Sequence, residues 1–126
     1  MSRVIDALRA HAARTPQRTA LDDGQVALSY RDLLGLVEHA ANQLRETSPR
    51  VLAIFADNGS SWAIADLAAC RLGIPVVPLP LFFSATQIAH VIRTAGIDQV
   101  LTDRPDRLFA ALPEVVRSVE AFTGTL

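Results

Sequence analysis

Residues 51–79 read VLAIFADNGSSWAIADLAACRLGIPVVPL, a run in which two short apolar segments flank a longer amphipathic one. Residues 51–56 predict a buried strand, residues 57–60 a polar turn, and residues 61–72 a helix closed by Gly73. Residues 74–79 predict a second strand. Strands this apolar, alternating with helices, are typical of a parallel sheet whose faces are covered by helices.

The same strand–turn–helix unit continues toward the C-terminus. Residues 84–87, SATQ, match a capping box, and the helix that they open is expected to end at Gly96. Residues 99–102 predict a third strand and residues 105–112 a third helix with proline in its first turn. Residues 115–122 fit a strand or a helix equally well.

The second strand of this series carries two prolines. Pro75 and Pro78 each lack the N–H that a strand donates to its neighbour. We therefore expect this strand to lie at an edge of the sheet or to be irregular.

An additional helix and a hairpin precede the repeated units. Residues 3–13 predict a helix that Ser2 caps, and Asp23-Gly24 lies between two strand-like runs, as in a tight hairpin. Ser29 is placed to cap a long amphipathic helix that continues to residue 45. The fold class predicted is α/β: three layers, a mostly parallel sheet of β-α units, with an N-terminal helix and β-hairpin. Residues 1–126 are expected to form a single domain.

The basic residues are unusual, because all 12 are arginine and the sequence contains no lysine. A Walker-type phosphate loop and a Schiff-base lysine are therefore excluded within these 126 residues. The formal net charge of -1 argues against a nucleic-acid-binding protein, which needs a basic face.

No apolar run approaches the roughly 20 residues of a membrane span, and no signal-peptide core is visible. We therefore expect a cytoplasmic protein without a membrane span.

Few residues suggest metal or thiol chemistry. Cys70 is the only cysteine, which excludes an internal disulfide, and its Ala-rich surroundings predict a buried, inert thiol. His11, His39 and His90 lie on three different predicted helices, and none has a second metal ligand at a suitable spacing. Structural or solvated roles are expected for all three histidines.

Two polar clusters are candidates for a binding or catalytic site. Residues 57–61, DNGSS, follow a strand and open a helix, where backbone N–H groups can hold an anion, although any turn with a helix cap needs the same residue types. Asp103 and Asp106 flank arginine and proline, and turn and cap roles are favoured over an acid/base pair. The residues alone therefore identify no catalytic, cofactor-binding or metal-binding residue.

Three aromatic side chains have alternative interpretations. Trp62 is expected in the core rather than as a platform for a ligand. Phe82 and Phe83, between a strand and a capped helix, are candidates for an exposed interface patch or the lip of a pocket.

Five segments in order nevertheless carry a resemblance to a known superfamily: residues 28–33 (LSYRDL), 51–58 (VLAIFADN), 70–79 (CRLGIPVVPL), 87–92 (QIAHVI) and 100–103 (VLTD). The first resembles the Leu-Thr/Ser-Tyr-x-Glu-Leu segment of adenylate-forming (AMP-binding) enzymes. The third resembles their Leu-Lys-Ala-Gly-x-x-x-x-Pro segment, with Arg71 in place of the lysine. The similarity covers about residues 15–110 and favours acyl-CoA synthetases and fatty-acid–AMP ligases over peptide-synthetase domains.

The resemblance implies an ATP-dependent ligase that activates a carboxylic acid as an acyl-adenylate and passes the acyl group to coenzyme A or a carrier thiol. The family's phosphate loop, adenine segment, ribose-binding aspartate and C-terminal lysine all lie downstream of the matched region. No catalytic or cofactor-binding residue is therefore carried over. ATP, Mg²⁺ and coenzyme A are implied only for a full-length enzyme, and this chain alone is expected to be inactive.

Two kinds of partner follow from this interpretation. The chain is expected to be an N-terminal fragment whose partner is the rest of the ligase. The alternative is a free-standing binding module, or a structural one that associates with itself through an uncovered apolar face.

Overall fold

The computed structural model describes residues 3–104, 106–108 and 119–121. Helices and strands alternate along most of this length, as the hydrophobic periodicity predicts. The helices are α1 (Arg3–Arg14), α2 (Tyr30–Thr47), α3 (Ser60–Leu72) and α4 (Ala85–Ala95). The strands are β1 (Thr19–Asp22), β2 (Ala27–Ser29), β3 (Leu52–Phe55), β4 (Val76–Pro78), β5 (Gln99–Thr102) and β6 (Val119–Ala121).

The strands form two sheets. A parallel sheet has the order β4-β3-β5-β6, and a separate antiparallel hairpin joins β1 to β2. The α/β class, the parallel pairing and the hairpin are confirmed. The proline-containing strand β4 lies at the edge of the four strands, also as predicted. The undecided segment near the C-terminus contributes strand β6.

The core has two parts because the side chains of a strand alternate between the two faces of the sheet. Leu52 and Ile54 of β3 pack with α1, α2 and α3 on one face. Ala53 and Phe55 pack with α4 on the other face. This arrangement gives the three layers that the sequence predicts.

The helix boundaries follow local capping. Ser29 and Ser84 accept hydrogen bonds from Asp32 N–H (3.1 Å) and Gln87 N–H (3.2 Å), and the Gln87 side chain completes the capping box. Gly73 and Gly96 end their helices at φ +71° and +68°, the left-handed region that favours glycine. The predicted cap at Ser2 lies outside the described residues.

The structure corrects the predicted burial of Cys70 and describes only part of the third predicted helix. Cys70 is exposed, not buried: α3 buries Ala68 and Ala69, and one further residue turns the side chain about 100° away toward solvent. In the third predicted helix, residues 106–108 are helical, and the other residues of the segment lie outside the described ranges.

Candidate functional site

The loops after β3, β4 and β5 meet at one edge of the sheet, because parallel strands all end on the same side. Ligands of open α/β sheets bind preferentially at this carboxyl edge. Asp57 and Asn58 follow β3, Leu81 and Phe82 follow β4, and Asp103 follows β5. The carboxyl edge is therefore the candidate functional site.

Arg104 joins two of these loops. Its guanidinium contacts the Asp57 carboxylate at 2.7 Å and the Asp103 carboxylate at 2.9 Å. Asp57 N–H also donates to Asp103 Oδ2 at 3.4 Å. Burial by itself would raise the pKa of Asp103, but the hydrogen bonds from Arg104 and Asp57 N–H, together with the positive charge of Arg104, lower it. Through Arg104 and Asp57 N–H, Asp103 joins the loops after β3 and β5.

Thr102 supports the same junction from inside. Its side chain is fully buried and donates to Phe55 O at 2.6 Å, while its Oγ1 accepts from Arg104 N–H at 3.0 Å. The last residues of β3 and β5 are thereby joined at the point where both strands end.

Asp23, in the turn of the β1–β2 hairpin, lies against the start of α3. Its Oδ2 accepts from Ser60 N–H at 3.1 Å and Ser60 Oγ at 2.8 Å. Its Oδ1 accepts from Gln25 N–H at 2.9 Å and Val26 N–H at 2.7 Å. The N-cap of α3 is Gly59, which supplies no side-chain cap, so a carboxylate from a distant turn takes that role.

This contact bears on residues 57–61 as a candidate anion site. The helix does begin there, one residue earlier than predicted, at Ser60. Its first N–H group, that of Ser60, donates to the Asp23 carboxylate of the same chain, at the positive end of the helix dipole. The chain's own anion lies where an external phosphate would be expected to bind.

Two adjoining pockets share Asp57 and Asn58. A polar cleft of about 380 Å³ is lined by both hairpin and sheet-edge residues: Asp23, Gln25, Val26, Asp57, Asn58, Gly59, Ser60, Ser61 and Asp103. Three carboxylates give this polar cleft a negative character that Arg104 offsets only in part. An apolar pocket of about 350 Å³ lies beside it, lined by Ala56, Asp57, Asn58, Trp62, Pro78, Leu79, Pro80, Leu81 and Phe82.

The aromatic residues at the apolar pocket differ in exposure. Phe82 is 84% exposed, whereas Phe83 is half-buried against the α4 side of the core. Trp62 is half-buried and packs against the other core cluster, in line with its predicted core role, and it also lines the pocket. Arg107 steadies this loop by donating to Leu81 O at 2.6 Å. Its guanidinium also lies 5.2 Å from the ring centroid of Phe55.

The remaining sequence candidates lie elsewhere. His11 stacks on Tyr30 with 4.8 Å between ring centroids, and His39 and His90 are exposed on α2 and α4. Within the described ranges, no group of three His, Cys, Asp or Glu side chains is placed to hold a metal ion. Asp106 is exposed, and Asp103 is paired with Arg104.

Arg71, at the position of the family's lysine, lies away from the carboxyl edge. Its Nε contacts Glu38 Oε1 at 3.3 Å, and Arg9 contacts the same oxygen at 3.4 Å. These contacts join α3 and α1 to α2.

Sequence reasoning missed Asp23, Arg104 and Arg107 as residues of this edge. The acidic hairpin turn was recognised only as a turn, and its contact with Ser60, 37 residues away, had no local signal. Among the described residues, the edge presents ion pairs and an apolar pocket.

Comparison with known proteins identifies the family. The model of the AMP-binding enzyme family matches residues 8–124. Long-chain-fatty-acid–CoA ligase 6 of rat and of human are each 30% identical over 95 residues, which is 71% of this chain and 14% of the relative. The chain therefore spans 14% of the length of these curated relatives.

Solved structures share the fold. Coronafacic acid ligase from Pectobacterium brasiliense has a TM-score of 0.82 and 19% identity, with 91% of this chain and 24% of the ligase covered. The artificially fused adenylation–PCP di-domain NpsA-ThdA from Klebsiella oxytoca has a TM-score of 0.80 and 23% identity, covering 94% of this chain and 22% of that one.

A single subdomain matches as well. The Klebsiella oxytoca NpsA N-terminal subdomain, in complex with 3-hydroxybenzoyl-AMSN, has a TM-score of 0.73 and 24% identity, over 82% of this chain and 27% of that chain. Within the ranges described above, no helix is both long and apolar enough to cross a membrane. The chain shares the fold of these structures, and the family match over residues 8–124 shows that it belongs to the AMP-binding enzyme family.

Proposed function

We propose that residues 1–126 are one domain, the N-terminal segment of an AMP-forming ligase that activates a carboxylic acid with ATP. The observation that carries this proposal is the family match over residues 8–124. The 30% identity to long-chain-fatty-acid–CoA ligases favours a fatty acid or another acyl-CoA precursor as the substrate. The complete enzyme would take ATP and Mg²⁺, and would pass the acyl group to coenzyme A or a carrier thiol.

The described residues do not fit ATP by themselves. The polar cleft carries the carboxylates of Asp23, Asp57 and Asp103, which would repel a triphosphate. Its one bridging cation, Arg104, is already engaged by two of them. The growing negative charge of a phosphoryl-transfer transition state needs cations that this cleft does not offer. The chain alone is therefore proposed to be inactive, as the scaffold part of the enzyme.

The test is ATP–pyrophosphate exchange with a panel of carboxylic acids that includes long-chain fatty acids. The isolated chain should show background exchange, and the same chain joined to the downstream part of its ligase should exchange with at least one acid. Robust exchange by the isolated chain would contradict its inactivity. An in-frame Ser/Thr-Gly-Thr-Thr-Gly-x-Pro-Lys loop encoded downstream of residue 126 would support the proposal independently.

A second function is favoured by the exposure of Phe82 beside an apolar pocket. A stand-alone module with this fold would bind an apolar ligand or a second copy of itself there. Calorimetry with fatty acids and with ATP distinguishes the two functions. Saturable binding by the isolated chain, without pyrophosphate exchange after fusion to the downstream part, favours the module.

A further inference from the structure

We propose that Asp23 is a positioning residue that couples the β1–β2 hairpin to the start of α3 and thereby fixes the wall of the polar cleft. The cleft is lined by both partners of this contact, with Asp23, Gln25 and Val26 on the hairpin side. Asn58 and Ser60 lie on the α3 side. This coupling is a conformational property of the chain and does not depend on the proposed ligase function.

The two carboxylate oxygens of Asp23 accept hydrogen bonds from different elements. Oδ1 accepts from the hairpin turn, at Gln25 N–H and Val26 N–H. Oδ2 accepts from α3, at Ser60 N–H and Ser60 Oγ. Both functions need an acceptor, and an ionised carboxylate is the only side-chain group of this size with acceptors at both positions.

The loop that Asp23 reaches is held from its other end by Arg104. That guanidinium pairs with Asp57 at 2.7 Å, three residues before Ser60. The loop after β3 is thus held between the hairpin on one side and the loop after β5 on the other. If the Asp23 contact is removed, only the Asp57 end stays tied, so the cleft wall and the hairpin turn should both become more mobile.

Hydrogen exchange at single amides tests the coupling. In Asp23→Ala, exchange at Ser60 N–H and at Val26 N–H should both rise by about tenfold or more, since each loses a charge-assisted hydrogen bond. In Asp23→Asn, the amide group keeps one acceptor and replaces the other with a donor. Exchange should therefore rise on one side only, at Ser60 or at the turn.

The decisive variant is Ser60→Ala, which removes the hydroxyl donor on the α3 side (2.8 Å) and keeps the backbone N–H that also donates to Asp23 Oδ2 (3.1 Å). Coupling is reciprocal, so exchange at Gln25 N–H and Val26 N–H, across the cleft, should rise in this variant, by less than in Asp23→Ala. An unchanged turn in Ser60→Ala, or an unchanged Ser60 amide in Asp23→Ala, would overturn the proposal. Amides of Ile54 and Leu101 in the sheet should stay protected in each variant, which shows that the fold is intact.

Two control variants lie next to the contact. Asp22→Ala removes an acceptor of Gly24 N–H inside the turn (2.9 Å) and should leave Ser60 N–H exchange unchanged. Gly59→Ala adds a Cβ that meets Asp23 Oδ2 at 3.6 Å, an ordinary van der Waals contact, and should leave the coupling intact. Fluorescence of Trp62, the only tryptophan, gives a second readout: acrylamide quenching should increase in Asp23→Ala and not in either control.

Discussion

Single charged side chains join several elements of this molecule. Glu38 of α2 receives both Arg9 of α1 and Arg71 of α3, and its side chain is 35% exposed. Partial exposure lets water screen these pairs, so each contributes modestly. We expect Glu38→Gln to lower the free energy of unfolding by about 0.5–1 kcal/mol in urea denaturation. Glu46→Gln, on an exposed turn of the same helix, should change it by less than about 0.5 kcal/mol.

Asp23 should make stability depend on acid pH. Hydrogen bonds from Val26 N–H, the Ser60 hydroxyl, Gln25 N–H and Ser60 N–H lower the pKa of Asp23 below its ordinary 3.8. Since the folded-state pKa is the lower one, the carboxylate stabilises the fold above about pH 4. That contribution is lost as the pH falls through the folded-state pKa.

The measurement is the melting temperature of wild type minus that of Asp23→Asn. This difference should be positive and constant near neutral pH and should shrink below about pH 4. Asp22→Asn serves as the control because the pair of variants removes the same charge from adjacent positions. A difference for Asp23→Asn that is flat down to about pH 3 would contradict the assignment.

At the scale of elements, two glycines should respond oppositely to alanine. Gly35 lies inside α2 with nothing within 4 Å of an added Cβ, so Gly35→Ala should stabilise the protein by about 0.5–1 kcal/mol. Gly73 has φ +71°, where a Cβ is strained, so Gly73→Ala should destabilise it by about 1 kcal/mol. Chemical denaturation of the two variants measures both effects, and equal signs would contradict the backbone argument.

Helix α4 depends on its capping box. Ser84 accepts from Gln87 N–H at 3.2 Å, and Ser84 N–H donates to the Gln87 side chain at 2.8 Å. Ser84→Ala should cost about 1 kcal/mol, measured by thermal or urea unfolding. Thr86→Ala, exposed in the same first turn, should be neutral or slightly stabilising because alanine has the higher helix propensity. A neutral Ser84→Ala would show that tertiary packing alone starts the helix.

The elements were predictable where their signals are local. Caps, glycine stops and apolar runs lie within a few residues of the structure that they determine, which is why Ser29, Gly73 and residues 84–87 were identified correctly. The predicted burial of Cys70 was wrong because burial on α3 depends on which side of the helix faces α2. An Ala-rich run does not fix that side. The first turn of α3 was only partly predicted because its cap comes from Asp23, a tertiary contact.

At the scale of the whole molecule, the parallel pairing and the edge position of β4 were predictable, but the contacts that assemble the candidate site were not. Alternating strands and helices restrict the arrangement to a parallel sheet, and the prolines place β4 at an edge. The carboxyl edge depends instead on contacts over long sequence distances, such as Arg104 with Asp57 and Arg107 with Leu81. The sequence around an arginine in a polar loop does not indicate which distant residues the arginine contacts in the fold.

The adjacent rings of Phe82 and Phe83 should contribute differently to stability. Phe82 is 84% exposed, so Phe82→Ser should change the free energy of unfolding by less than about 0.5 kcal/mol. Phe83 packs against the α4 side of the core, so Phe83→Ser should cost about 1–3 kcal/mol.

An exposed aromatic ring beside an apolar pocket is expected to promote association when nothing covers it. Sedimentation velocity of the isolated chain at increasing concentration should therefore show a rising average mass, and Phe82→Ser should shift that rise to higher concentration. His39→Ser, on the exposed face of α2, is the control and should behave as wild type. A wild-type chain that stays monomeric at every concentration, or a Phe82→Ser variant that associates as strongly, would show that Phe82 is not a contact surface.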